Sequence, residues 1–231
     1  MRLFWKSSAD TGPAAMLRDT SGLAMIEFAF AAPLLLLMGL GGIELASYAA
    51  AHMRVSQTAM QLADNASRIG DRNPLAAERI FEGDINDLLV GAEIQAGSRI
   101  DLFENGRVII SSLEQNDDGG QMINWQRCMG RMRVDSSYGA AGTGRNGTSF
   151  PGMGAEGSEI TAPPDGAVMY AEVMVDYRPV VAAQMITEFL GDLEIRSEAA
   201  FTVRGTRNLE EGVAPTAGET RASCNRYEAM S

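Results

Sequence analysis

Sixteen consecutive residues without a charge, 28–43, constrain this chain more than anything else in it. They sit inside a longer apolar stretch, 23–51, where the only charged residues are Glu27 and Glu44. Sixteen helical residues cover roughly 24 Å, a little short of a hydrocarbon core of about 30 Å, and the extension to residue 51 closes the gap. One membrane-spanning helix over 23–51 is therefore expected, with a buried core helix as the alternative. A cleaved secretory signal would have a shorter apolar region ending at a small-x-small site, whereas helical periodicity here continues past the run.

Arg2, Lys6 and Arg18 precede the segment, and Arg54 and Arg68 follow it closely. This small excess of positive charge on the amino-terminal side favours the cytoplasm for residues 1–22, which would be a leader if the chain is cut after Gly22. Cys128 and Cys224 both lie beyond the segment without CxxC spacing. They fit a structural disulfide in an oxidising compartment, two unrelated buried thiols being the alternative. Such a bridge would close a long loop and contribute roughly 4–5 kcal/mol in the chain-entropy model.

The net charge of -11 excludes the basic stripe that a nucleic-acid binder needs to displace phosphate counterions. After residue 51 the chain holds sixteen basic and twenty-six acidic residues, so the exported part is acidic. The single histidine, His52, rules out an HExxH zinc site, and two cysteines cannot make a thiolate cluster. No catalytic, cofactor-binding or metal-binding site is expected. His52 reads as an interfacial polar residue.

At the start of the apolar run stands Ser21-Gly22-Leu23-Ala24-Met25-Ile26-Glu27-Phe28. A carboxylate in such a setting costs about 2.5–3.5 kcal/mol at a helix centre and less near the interface, so Glu27 needs a partner. A cut after Gly22 would supply one, because Leu23 would then carry a positive α-amine one turn from Glu27, in the same chain or a neighbour. Glycine, four apolar residues, Glu and Phe resemble the recognition site of type IV prepilin peptidases. The longer run with Arg18, Gly22, Glu27-Phe28, Pro33 and Glu44 is similar to the amino-terminal region of TadE-like proteins, components of tight-adherence (Flp-type) pilus assembly systems. Further along, INWQRC, SSYGAAGTG, FPGMG and AVMYAEVMVDYRP also resemble stretches of longer TadE-like proteins.

The resemblance implies a non-enzymatic pseudopilin or minor pilin with a pilin-like fold. It would be a single-pass protein of the bacterial inner membrane, its carboxy-terminal domain in the periplasm. Its implied partners are other pilus assembly proteins and pilins, with a prepilin peptidase acting at Gly22, Leu23 and Glu27. A membrane-tethered periplasmic binding or sensory domain is the alternative, which leaves Gly22 and Glu27 unexplained.

Val55, Ala59, Leu62, Ala66 and Ile69 recur at spacings of four and three, which extends the helix over 52–70 as an amphipathic stalk. Gly42, Ala46 and Ala50, four apart, form a small-residue face on which another helix could pack, although alanine-rich membrane sequence alone would look the same. Pro33 lacks an amide donor and should kink the span.

Residues 71–231 read as an α+β domain: an antiparallel sheet with short helices. Asn73-Pro74 suggests a helix start, with a helix over 75–90 turning Ile80, Phe81, Ile85, Leu88 and Leu89 inward. Strands 100–103 and 108–113 flank Asn105-Gly106, a two-residue hairpin signal. Further strands are expected over 122–134, 168–177 and 193–203, and a short helix over 180–190. Residues 136–166 carry eight glycines and three prolines from Tyr138 to Gly166 and read as a flexible surface loop with too little apolar content for a core. Within it Gly142-Thr143-Gly144-Arg145-Asn146-Gly147 spells GxGxxG, but no βαβ unit surrounds it. Asn116, Asp117 and Asp118 read as a solvated turn, since calcium-loop spacing is absent.

Overall fold

The computed structural model describes residues 21–70, 79–181, 193–204 and 212–229. Its elements are α1 (Ser21–Ala66), β1 (Ile80–Phe81), α2 (Glu82–Ala96), a single turn α3 (Leu102–Asn105), β2 (Gly106–Gln115), β3 (Gln121–Met129), β4 (Ala167–Tyr177), β5 (Leu193–Thr202) and β6 (Val213–Ala214). The architecture is α+β, as expected. The leader, the helix start at Asn73-Pro74 and the helix expected over 180–190 lie wholly or mostly outside the described residues.

The chain divides into two units, 1–46 and 47–231. The described part of the first is helix throughout, and its Phe30, Leu34, Leu35, Leu36, Leu37 and Met38 are exposed. Among the described residues this is the one helix long and apolar enough to cross a membrane. The helix runs on through Pro33, the missing amide costing one backbone hydrogen bond.

The second unit is built on one sheet in the order β3-β2-β4-β5, antiparallel throughout. β2 and β4 are interior strands buried at almost every position, because both faces of the sheet are covered, and β4 reads as a mostly apolar run. On the front face Val108, Ile110, Trp125, Met169, Ala171, Val173, Val175 and Ile195 join Ala51, Val55, Ala59, Leu62, Ala63 and Ala66 of α1 and Ile85, Leu89, Ala92 and Ala96 of α2 in one core. Four of the five stalk positions read from the sequence are therefore buried, and this part of the helix packs in the second unit instead of standing free. Small side chains suit the role, since alanines let a helix backbone approach a sheet closely.

α2 starts later and ends later than the sequence suggested. The Phe81 amide donates to the Asp84 carboxylate at 2.9 Å, half of a capping box. The helix passes through Gly91 and stops at Gly97, whose φ of 78° suits the left-handed region where glycine is favoured. Ile80 and Phe81 pair instead with β6 in a two-residue parallel bridge.

The Asn105-Gly106 hairpin is not formed. That turn needs positive φ at both residues, and Gly106 is extended at φ -146°, while residues 102–105 make a helical turn after the left-handed Asp101. Gly106 is there for space: an added Cβ would run into the carbonyls of Met174 and Leu102. The hairpin partner of β2 is β3, through the turn after Gln115, with a bulge between Ser112 and Leu113. β3 ends at Met129 because the next residue, Gly130, turns away at φ 112°. The strands expected over 168–177 and 193–203 form as β4 and β5.

The glycine-rich loop is more than a surface connection. Met153 and Ala162 are buried against Leu113, Ile123, Val168 and Tyr170 on the back of the sheet, with Tyr138 and Phe150 beside them. A few well-placed side chains on an irregular backbone make this second core, which average composition does not reveal.

Candidate functional site

Three places in the chain have the chemistry of a site. The first is the exposed start of α1. Gly22 lies in its first turn with open space around it, and Leu23 and Glu27 follow on one face, four residues apart. Gly42, Ala46 and Ala50 share a second exposed strip, and a Cβ at Gly42 would meet nothing within 4 Å. The structure thus presents both sets of sequence-identified residues on open helix surface, while Ala51, one residue on, is buried.

The second place is the covalent staple. Cys128 on β3 and Cys224 in the carboxy-terminal segment form the expected disulfide, 96 residues apart in sequence. Ile109, Met174, Met132 and Val134 surround it, an apolar setting that disfavours a thiolate and suits a structural bridge. Around it the segment after β6 runs along the outer edge of β3. The Cys128 amide donates to the Ala222 carbonyl at 2.9 Å and the Gly130 amide to the Glu228 carbonyl at 3.1 Å. Arg107, fully buried on β2, donates to the carbonyls of Gly130, Cys224 and Arg226 and stacks 4.3 Å from the Tyr227 ring centroid. Burial lowers its pKa, so the guanidinium depends on those carbonyls in place of water. Thr216, Glu219 and Thr220 accept from Gly83 and Asn86, which ties the same segment to α2.

The third place, absent from the sequence reading, is a polar cluster on the back of β4 and β5. Glu198 accepts from Tyr138 at 2.5 Å, from Tyr170 and from Arg196 at 2.8 Å. Arg196 also donates to Glu172 at 2.5 Å, and the Ser137 amide reaches Glu172 at 3.3 Å. Burial pushes the Glu172 carboxyl up, and its Oε2 has no hydrogen-bond partner. Burial would also raise Glu198, but hydrogen bonds from both tyrosines and Arg196 outweigh it and hold that carboxyl down. Burial and the bond to Glu198 raise both tyrosines. The cluster fastens the start of the glycine-rich loop to the sheet. Its signal in the sequence was Glu172, an acid in the middle of a mostly apolar interior strand. A similar buried pair, Arg127 with Glu82, joins β3 to the start of α2 on the front face.

The remaining motifs resolve into structure. In the GxGxxG stretch the Gly147 amide donates to Asp118, the Gly142 amide donates to the Ile123 carbonyl, and the carbonyls of Gly144 and Gly147 accept from Asn116 at 2.7 Å each. Asn116 is buried and ties the β2–β3 turn to this loop, so the turn is more than a solvated one. Among the described residues no group of three or more His, Cys, Asp and Glu side chains could hold a metal ion. His52 is exposed on α1, its ring centroid 6.5 Å from that of Tyr48.

In comparison with known proteins, residues 22–64 match the family model described as TadE-like protein. No curated protein and no solved structure matches the chain. The matched segment starts at Gly22 and covers both the exposed and the core-packed lengths of α1.

Proposed function

With a TadE-like segment at residues 22–64 supporting a TadE-like protein of the Tad pilus system, we propose that the chain acts in pilus assembly as a pseudopilin or minor pilin. It is a single-pass protein of the bacterial inner membrane, with its amino terminus in the cytoplasm and its disulfide-bonded domain in the periplasm. A prepilin peptidase removes the leader after Gly22, and the new α-amine of Leu23 pairs with Glu27 of the same or a neighbouring chain. Helices then associate through their apolar surfaces and through Gly42, Ala46 and Ala50, with other pilus proteins and pilins as partners.

One observation carries this reading: the family match begins at the residue that would precede the cut, on a helix whose apolar side chains are exposed. Mass spectrometry of the protein extracted from native membranes should find a chain beginning at Leu23. An intact Met1 would refute processing. Glu27→Ala should fold but no longer co-purify with other pilus components, and unchanged co-purification would refute the pairing.

A further inference from the structure

The chain leaves its apolar first unit at Ala46 and enters the second at Ser47, with no spacer between. Two residues later the Tyr48 ring packs edge-on against Tyr177, with centroids 5.1 Å apart, at the end of β4. Beyond Tyr177 come Arg178 and Val180, both exposed, Val180 by 53%. Aromatic rings, an arginine and an exposed valine thus lie together at one end of the second unit. The acids at that end are Asp176 and Glu194, register partners on the back face opposite that of Tyr177, and Asp101 and Glu104 just before Gly106, the partner of Val175, where Glu104 is paired with Arg131 at 2.8 Å.

We propose that this end of the second unit is a lipid-contacting surface, seated in the headgroup layer of a phospholipid bilayer. The proposal rests on residues 23–46 spanning that bilayer. Residues 28–46 rise about 28 Å as a helix, which matches a hydrocarbon core of about 30 Å, and Glu44, about 3 Å from the end of that stretch, lies near the interface where a carboxylate costs less. Tyr48 then stands about 3 Å past the end of that stretch, within a headgroup layer about 5–7 Å deep. Tyrosine favours this depth because its ring is apolar and its hydroxyl is wet. Arg178 carries guanidinium donors suited to a lipid phosphate, and Val180 offers apolar surface to the upper acyl chains. A spacer of polar residues would have kept these groups in water, and the chain has none there.

The test uses the full chain with its disulfide intact in nanodiscs of phosphatidylethanolamine and phosphatidylglycerol. Nitroxide labels are placed singly through Val180→Cys, Leu37→Cys and Ser158→Cys, the last on exposed loop as the water reference. Collision with oxygen, which concentrates in lipid, is compared with collision with a water-soluble nickel chelate. The label at 180 should show an oxygen-to-nickel ratio several-fold above that at 158 and below that at 37. Equal ratios at 180 and 158, with 37 deep in lipid, would overturn the proposal and leave the spanning helix standing. A water-like ratio at 37 would overturn both.

Discussion

Leu62 distinguishes a helix packed in the domain from a free stalk. It is 2% exposed and lies in the front core with Val55, Leu89 and Ala92. Leu62→Ala removes three carbons, which at about 0.8 kcal/mol each is a transfer loss of about 2.4 kcal/mol. A cavity contribution adds to this and brings such losses to about 2–5 kcal/mol in packed cores. Here the addition should be small, because Leu62 also borders an open groove of about 520 Å³ shared with Ile69, Leu88 and Ile94, into which neighbours can relax. The expected loss is therefore about 2.5–3 kcal/mol. Urea unfolding of the full chain in detergent micelles can be followed by fluorescence of Trp125, which is buried in the same core, in a Trp5→Phe background. With a slope of about 1–3 kcal/mol per molar urea, the midpoint should fall by about 1 M or more. A change below about 0.5 kcal/mol, the ordinary range for a surface substitution, would refute the packing and restore the stalk.

Cys224→Ser should lower stability by about 4–5 kcal/mol, since the bridge closes a 96-residue separation, and the same urea titration without reductant reads it. A loss under about 1 kcal/mol would mean that Arg107 and the backbone bonds hold the carboxy-terminal segment by themselves. The back-face carboxylates should shape the dependence on pH in opposite directions. Glu198, held below its ordinary value, contributes stability that is present above the unfolded carboxylate range and lost as pH falls through its folded pKa. Glu172, raised by burial, takes up its proton earlier in the native state, so its own contribution improves as pH falls from neutral towards the unfolded range. Thermal midpoints across mild to strong acid should show Glu198→Gln removing the acid loss and Glu172→Gln removing the preceding gain. If both variants keep the parental profile, the cluster does not control it.

What could be read without coordinates followed from periodicity and from backbone-independent chemistry. The spacing of Val55, Ala59, Leu62 and Ala66 and the alternation along β5 each encode a face that lies against the front core, and the uncharged run forms exposed helix. The cysteine pair needed only a count and the absence of CxxC spacing. The failures share a different cause. Asn105-Gly106 carries turn preference, but the tight approach of the Met174 carbonyl decides its backbone, and that contact joins residues almost seventy positions apart. The helix expected to end at residue 90 runs on through Gly91, because one interior glycine costs only about 1 kcal/mol and the burial of Ala92 and Ala96 beyond it, with the backbone bonds, offsets that. The tyrosine–glutamate cluster and the burial of Met153 depend on where a long irregular loop returns to the sheet, information no local window contains.

The packing of α1 also limits how chains of this kind can assemble. From Ala51 on, the face bearing Val55, Ala59, Leu62 and Ala66 is occupied by the sheet and α2. Exchanging those contacts for intermolecular ones would expose a core worth several kcal/mol per helix turn, far more than a small-residue contact in lipid returns. On the proposed function, helix-mediated assembly would use the exposed residues before that point, where Glu27, Gly42, Ala46 and Ala50 lie. Val55→Ala should then weaken folding and leave the partner set of the folded fraction unchanged, whereas Ala46→Leu should leave folding intact and reduce co-purification with pilus components. The reverse pattern would place the assembly face in the second unit.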